Sequence, residues 1–357
     1  MNPEVFFITG GCGFIGSNFI RYILENTDVK HVINLDKLTY SGNTSNLKEF
    51  NSDSRYVFFE GDIADSKLVC SLFKNHNPDC LVHFAAESHV DRSIDGPEEF
   101  INTNVIGTFT LLEESLRYYK SLSNTFEAEF LFHHISTDEV FGSLGKTGSF
   151  TETTPYDPSS PYSAAKASSD HLVRAWHRTF GLPVLITNCS NNYGPYQFPE
   201  KLIPLMIINC LNEKPLPVYG KGDNIRDWLY VEDHCEALDF VFHKGESGET
   251  YNIGGLNEWE NLSMVRHLCE VMDSELGNSP EKSCLNLIRH IRDRPGHDRR
   301  YAIDASKICK QLGWKPRHQI GEGLEKTLRW YLDHQDWVEQ VTSGAYRDYY
   351  RKHYGTD

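Results

Sequence analysis

Tyr162 and Lys166 stand four residues apart in the run Tyr162-Ser163-Ala164-Ala165-Lys166, a spacing that puts both side chains on one face of a helix. An ammonium beside a phenol favours phenolate, so the pair could work as a general base. A second cluster is Ser136-Thr137-Asp138-Glu139, at the end of an apolar run. Two carboxyls with a hydroxyl can divide into one acid and one base, although the same pair also suits a solvated turn or a helix start. The third is Gly10-Gly11-Cys12-Gly13-Phe14-Ile15-Gly16. Glycines at Gly10, Gly13 and Gly16 let a backbone turn tightly, approach a pyrophosphate closely and pack a following helix on a sheet. Asp36 ends the next β-rich run twenty residues after Gly16, where a carboxylate meets ribose hydroxyls and favours NAD over NADP. Lys37 beside it leaves an opening for a 2′-phosphate.

These groups need a scaffold that brings strand ends together. Short apolar runs predict strands at Glu4–Thr9, His31–Leu35, Tyr56–Glu60, Cys80–Phe84, Glu129–Ile135 and Pro183–Cys189. Helical periodicity predicts helices at Asn18–Glu25, Lys67–Asn75, Phe100–Tyr118 and Ala164–Phe180, the last entered through Pro161 with Ser159 or Ser160 as N-cap. Strands apolar almost throughout, alternating with helices, indicate an α/β fold with a doubly wound, Rossmann-type parallel sheet whose ligands sit beyond the strands' C-terminal ends. After Cys189 the texture becomes richer in Gly, Pro and Asn. A helix is predicted near Lys201–Leu211, strands at Leu216–Tyr219 and Trp228–Val231 around the turn-rich Gly220–Asn224, and helices at Leu262–Glu275 and Gly321–Tyr331. The expected organisation is a cofactor domain over 1–190, with return segments near 231–256, and a smaller mixed α/β substrate-binding lobe over 191–357.

The 357 residues carry 35 Lys and Arg against 50 Asp and Glu, a formal charge of −15. That balance argues against nucleic-acid or anionic-membrane partners. No apolar run reaches the roughly 18 residues of a membrane helix. Met1-Asn2-Pro3-Glu4 lacks a basic n-region, so no secretory leader is expected. Nine cysteines without a Cys-x-x-Cys suit a reducing, cytoplasmic setting better than a disulfide framework. Among sixteen histidines, His133 and His134 are adjacent on a strand and point to opposite faces. With no ligand spacing of a metal site, no metal is expected. The aromatic and basic tail Tyr346–Tyr354 reads as packing or a frayed end.

Taken together, the motifs resemble the extended short-chain dehydrogenase/reductase family, and within it the nucleotide-sugar 4,6-dehydratases, from Ile8 to about Trp330. The resemblance is carried by TGGCGFIGSN (Thr9–Asn18), DKLTYSGN (Asp36–Asn43), GDI (Gly61–Ile63), AAESHVDRSI (Ala85–Ile94), STDEVFG (Ser136–Gly142) and PYSAAKA (Pro161–Ala167). In the second lobe it continues through NNYGPYQFPEKLIP (Asn191–Pro204), RDWLYVEDH (Arg226–His234) and RPGHDRRYAID (Arg294–Asp304). Cys12 and Phe141 depart mildly from the family, which often has Ala and Tyr there.

The resemblance implies NAD as a recycled cofactor and a 4-keto-6-deoxy sugar as product. Tyr162 would take the O4 proton as hydride leaves C4. Glu139 would remove the C5 proton while Asp138 protonates the departing C6 hydroxyl, with Thr137 and Lys166 positioning the reactants. Implied cofactor contacts are Gly10, Gly13, Phe14, Ile15, Gly16, Asp36, Lys37, Leu38, Thr39, Asp62, Ile63, Ala85, Ala86, Thr103, Tyr162 and Lys166. Implied nucleotide-sugar contacts are Ser88, Thr137, Asp138, Glu139, Asn191, Lys201, Leu202, Pro217, Tyr219, Arg226, Asn261 and His297. Arg226 and Lys201 suit a diphosphate on chemical grounds. The second-lobe motifs look more like thymidine-type than uridine-type members, implying dTDP-glucose, with UDP-glucose as the alternative. The family's dimer would bury the helices over Phe100–Tyr118 and Ala164–Phe180. A non-catalytic dinucleotide-binding scaffold is the alternative from another class, but it would have no need of Thr137, Asp138, Glu139, Tyr162 and Lys166 together.

Overall fold

The computed structural model describes residues 3–122, 129–293 and 296–343. Arg294 and Pro295, which open the last of the motifs above, lie outside the described residues, as does the tail at 346–354. The first six strands are β1 (Val5–Thr9), β2 (His31–Asp36), β3 (Tyr56–Glu60), β4 (Cys80–His83), β5 (Leu131–Thr137) and β6 (Val184–Cys189). Between them run α1 (Phe14–Asn26), α2 (Ser66–His76), α3 (Val90–Asp95), α4 (Pro97–Phe100), α5 (Thr108–Leu122) and α6 (Pro161–Phe180). Then follow β7 (Asn191–Tyr193), α7 (Leu202–Leu211), β8 (Leu216–Tyr219), β9 (Ile225–Tyr230), α8 (Val231–Lys244), β10 (Thr250–Ile253) and β11 (Glu258–Glu260). The rest comprises α9 (Asn261–Leu276), β12 (Ile288–Ile291), α10 (Ser306–Leu312), α11 (Ile320–Asp333) and α12 (Gln335–Val341).

Seven of these strands form one sheet in the order β10-β6-β5-β4-β1-β2-β3, each neighbouring pair parallel. This is the doubly wound Rossmann arrangement, and the strand order reverses beside β1, where a crevice opens. Alternation along β1 sends consecutive phenylalanines to opposite layers. Phe6 meets Phe19 of α1 and Phe242 of α8 edge-on, at 6.3 and 5.5 Å, while Phe7 meets Phe73 of α2 at 5.3 Å. A second core, built around Met206, Trp228, Leu268 and Tyr331, joins α7, α9 and α11 to the small sheets β11-β9-β7 and β12-β8. No helix among the described residues is long and apolar enough to cross a membrane.

Local chemistry moves several element ends from the positions read in the sequence. The first helix begins at Phe14 rather than Asn18, directly out of the glycine loop. β5 runs two residues past Ile135, taking Ser136 and Thr137 into the sheet as buried polar residues. The helix expected over Phe100–Tyr118 is interrupted by a π-helical stretch, Ile101–Gly107, and resumes at Thr108. At α6 the N-cap is Ser160, whose hydroxyl accepts from Ser163 N at 3.1 Å, with Pro161 in the first turn.

Candidate active site

The cofactor cleft lies over the C-terminal ends of β1, β2, β4 and β5. Gly10 sits at φ +73°, and a Cβ there would lie 2.5 Å from Ala85 N. A Cβ on Gly16 would lie 2.3 Å from Gly10 O. The loop is therefore closed around backbone alone. Gly13 caps α1 without a side chain, which leaves the first-turn N–H groups of that 13-residue helix open to an anion. Cys12 is buried behind the loop, with its N–H donated to Asp36 Oδ2 at 2.9 Å and its sulfur accepting from Asn34 Nδ2 at 3.4 Å. Burial first, then the Asp36 charge, pushes its thiol up to about 12. Phe141 is equally accommodated, stacked on Phe150 at 5.1 Å.

Asp36 is almost wholly buried at the end of β2 and accepts a second N–H from Leu38 at 2.9 Å. Burial raises its pKa, and these two backbone donors oppose the rise. Of the expected cofactor contacts, Leu38 does not line the cleft. Its backbone turns at φ +54°, and its N–H serves Asp36 instead. The others all line it, with Thr103 delivered by the π-helical stretch.

At the end of β5, Thr137 caps a 3-10 turn over Asp138–Phe141, its Oγ1 accepting Glu139 N at 3.2 Å. The two carboxyls thus start a helical turn, but Asp138 is no solvated residue. It is 2% exposed, and its Oδ2 has no hydrogen-bond partner within the protein. Burial, then the charges of Glu139 and Asp227, raises its pKa well above the ordinary carboxylate range, against the pull of Arg226. The burial and the neighbouring carboxylates thus favour the protonated, proton-donating form of Asp138.

The i, i+4 spacing brings both Tyr162 and Lys166 to the cleft, but the expected lowering of the phenol by the ammonium does not hold. Burial raises the Tyr162 pKa well above its usual value, reinforced by Glu139 and opposed by a hydrogen bond with Thr137. Lys166 Nζ instead donates to Ile135 O at 2.7 Å and lies 3.4 Å from His134 Nε2. Desolvation pulls this ammonium down to about 8.

A second cleft adjoins the first and shares Glu139, Asn191 and Lys201 with it. Ser88, Thr137 and Asp138 face the cofactor cleft, while Leu202, Pro217, Tyr219, Arg226, Asn261 and His297 line the second. Arg226 is buried and fixed by its donors to Ile225 O and Asp298 O, at 2.8 and 2.9 Å, with its guanidinium 4.2 Å over the Tyr301 ring. His297 Nδ1 meets Asp293 Oδ1 at 2.6 Å, and Tyr219 donates to Asp91 at 3.3 Å. Asn191 Oδ1 and Asn261 Oδ1 are buried without a protein partner, which suits a polar ligand. Three groups at the junction escaped the sequence reading, Asn192, Gln197 and Glu200. Glu200 is buried under Tyr40 and Arg92, accepting from each at 3.0 and 3.3 Å. The available signal was a carboxylate next to Lys201 inside a Gly/Pro-rich connection, and its partners are more than a hundred residues away.

A glycine-lined dinucleotide cleft running into a second cleft that holds Lys201, Arg226, Asn261 and His297 defines a nucleotide-sugar-modifying enzyme of the short-chain dehydrogenase/reductase type. A family model described as GDP-mannose 4,6 dehydratase matches residues 7–327, and the chain belongs to this family. It is 54% identical over 356 residues to dTDP-glucose 4,6-dehydratase 1 of Escherichia coli K12, covering 97% of this chain and 98% of that one. Among solved structures it resembles dTDP-glucose 4,6-dehydratase from Bacillus anthracis in complex with NAD, at 45% identity and TM-score 0.83 over 95% of this chain and 99% of the other. It also resembles the Streptomyces venezuelae dTDP-glucose 4,6-dehydratase with NAD and TYD bound, at 43% identity and TM-score 0.86 over 94% and 99%.

Proposed function

We propose that the chain converts dTDP-glucose to dTDP-4-keto-6-deoxy-glucose and water, holding NAD in the first cleft and the nucleotide sugar across the second. The observation that carries this reading is the buried Asp138, its Oδ2 without a partner in the protein, next to Glu139 where the two clefts meet. A simple alcohol dehydrogenase or a 4-epimerase has no use for an acid and a base at that point.

The glycine loop and the N-terminus of α1 cradle the pyrophosphate, and Asp36 takes the adenosine ribose hydroxyls. When bound, NAD supplies a store for the C4 hydride, later returned to C6, and a positive charge that offsets the burial penalty on the Tyr162 phenolate. Tyr162 takes the proton from O4, and the ketone at C4 acidifies C5–H. Glu139 removes that proton while Asp138 gives its own to the C6 hydroxyl, so the C6–O bond breaks and water leaves; as C6 takes the hydride back, Glu139 gives a proton back to C5. Arg226 and Lys201 hold the diphosphate, the first through its planar donor fork.

The exposed Ile101, Ile106 and Phe109, together with Phe180 of α6, support burial of this helical face in a homodimer. Nine unpaired thiols support a reducing, cytoplasmic setting. The test is to incubate the purified protein with dTDP-glucose and identify the product. Loss of one water with no net reduction of NAD is expected, and C4 epimerisation or stoichiometric oxidation would overturn the reading.

A further inference from the structure

Asp170 follows Tyr162 and Lys166 at the same four-residue interval along α6, so the three occupy one helical stripe. The residue is completely buried. Its Oδ2 accepts from Tyr156 OH at 2.7 Å, from Ser136 Oγ at 2.9 Å and from Asn188 Nδ2 at 3.4 Å, while its Oδ1 lies 3.1 Å from His134 Nε2. Asn188 Nδ2 also donates to Thr137 O at 3.1 Å. One carboxylate therefore ties the Lys166 helix to β5, to β6 and to the residue preceding the acid–base pair. An isolated carboxylate this deep would be costly, and nothing in the chemistry assigned so far uses it.

We propose that Asp170 is a positioning residue for the dehydratase: its carboxylate is the countercharge to the Lys166 ammonium, one imidazole away through His134 Nε2 at 3.1 and 3.4 Å, and it anchors the end of β5 that carries Thr137. The proposal rests on the reading that Tyr162 and Lys166 serve this reaction. His134 from β5 cannot replace it, because burial holds that imidazole down at about 4 and leaves it neutral. The other titratable groups around Lys166 are His83 of β4, Cys189 of β6, and Tyr162 and Arg174 of its own helix, with Tyr156 from the preceding segment. His83 is held neutral by burial and Cys189 as a thiol, so Asp170, kept ionised down to about 2, is the negative charge that favours the ammonium against its burial. Removing that charge makes the ammonium easier to deprotonate, which moves the alkaline limb of turnover to lower pH.

The experiment is kcat against pH for dTDP-glucose, with the NAD-loaded wild type, Asp170→Asn, Asp170→Ser and Tyr156→Phe, and with folding checked by thermal melting. Both Asp170 variants should move the alkaline limb down by about one pH unit or more and lower kcat more than they raise KM. Tyr156→Phe removes one hydrogen bond but no charge, so its limb should stay with the wild type. A limb unmoved in Asp170→Asn, or moved equally in Tyr156→Phe, overturns the proposal. Should both Asp170 variants fail to fold, Lys166→Arg decides, because an Arg cannot deprotonate in this range. Persistence of the limb in that variant overturns the proposal too. A wild type that does not turn over dTDP-glucose defeats the functional reading instead.

Discussion

Lys37 Nζ lies 2.8 Å from Asp62 Oδ2, across the gap between the ends of β2 and β3. The ammonium next to Asp36, which by sequence could have received a 2′-phosphate, already faces a carboxylate. NADP would have to bring its extra phosphate against the buried Asp36 and draw Lys37 away. Preference for NAD is the expected outcome in a calorimetric comparison of the two cofactors. Asp36→Asn should weaken NAD by roughly 10- to 100-fold, the worth of a hydrogen bond to a charged group. NADP binding as tightly as NAD in the wild type would contradict this.

Asp138→Asn keeps the shape of the buried side chain but cannot donate an acidic proton. Overall turnover should fall by roughly 10²–10⁴, the usual contribution of a positioned general acid. Glu139→Gln should in addition suppress exchange of solvent deuterium into C5, read by mass spectrometry of recovered sugar nucleotide. Unchanged turnover in Asp138→Asn would remove that residue from the mechanism.

The buried histidines predict a pH-dependent stability term with a defined sign. His133 is fully buried, paired with Thr187 Oγ1 at 3.1 Å, and pushed down to about 3 by desolvation. In the unfolded chain it would titrate near 6.5, so between these values the unfolded state binds the extra proton. The stability it contributes is complete above pH about 6.5 and is lost as pH falls, by up to about 1.4 kcal/mol per unit. Asp138, raised by burial, acts in the opposite direction, so the wild type alone is a poor readout. Urea unfolding of wild type and His133→Gln at pH 7, 6 and 5 isolates the group. The wild type should lose ground to the variant as pH drops, and a constant difference would refute the assignment.

Nucleotide preference follows from small terms. Thymidine and uridine nucleotides differ by a base methyl, worth about 0.8 kcal/mol when buried, and a ribose hydroxyl that an unfavourable pocket rejects by about 10²-fold. The expected kcat/KM ratio for dTDP-glucose over UDP-glucose is therefore about 10 to 1,000. GDP-mannose should fail more completely, because a purine does not fit a pyrimidine pocket. Equal turnover of UDP-glucose would reverse the thymidine assignment and leave the elimination chemistry in place.

The parallel sheet was legible because its strands are short, mostly apolar runs, buried throughout in β4, β5 and β6, and even the half-exposed edge strand Tyr56–Glu60 falls where those residues put it. Polar residues hid the rest. Ser136 and Thr137 look like the beginning of a loop, yet they extend β5, since Ser136 finds Asp170 and Thr137 O finds Asn188. The π-helical interruption at Ile101–Gly107 has no periodic signature of its own. In the site, residues joined by local spacing were readable, as with Tyr162 and Lys166. The environment of each was not. Whether Lys166 faces the phenol or Ile135 O depends on how α6 lies on β5, which spacing along one helix does not encode.

α8 and β10 follow the second-lobe segments in the chain but belong to the large sheet, β10 as its edge strand beside β6 and α8 as a cover for β1 through Phe242. Cutting the gene after Cys189 would therefore strip Phe6 and Phe19 of their aromatic neighbour and leave β6 as a bare edge. The cofactor half is not a cassette that can be excised or grafted onto a foreign sugar-binding half at that junction. Chimeras with new nucleotide preference must instead exchange two stretches, the one between β6 and α8 and the one after β10 that carries Asn261 and His297, leaving α8 and β10 in the recipient.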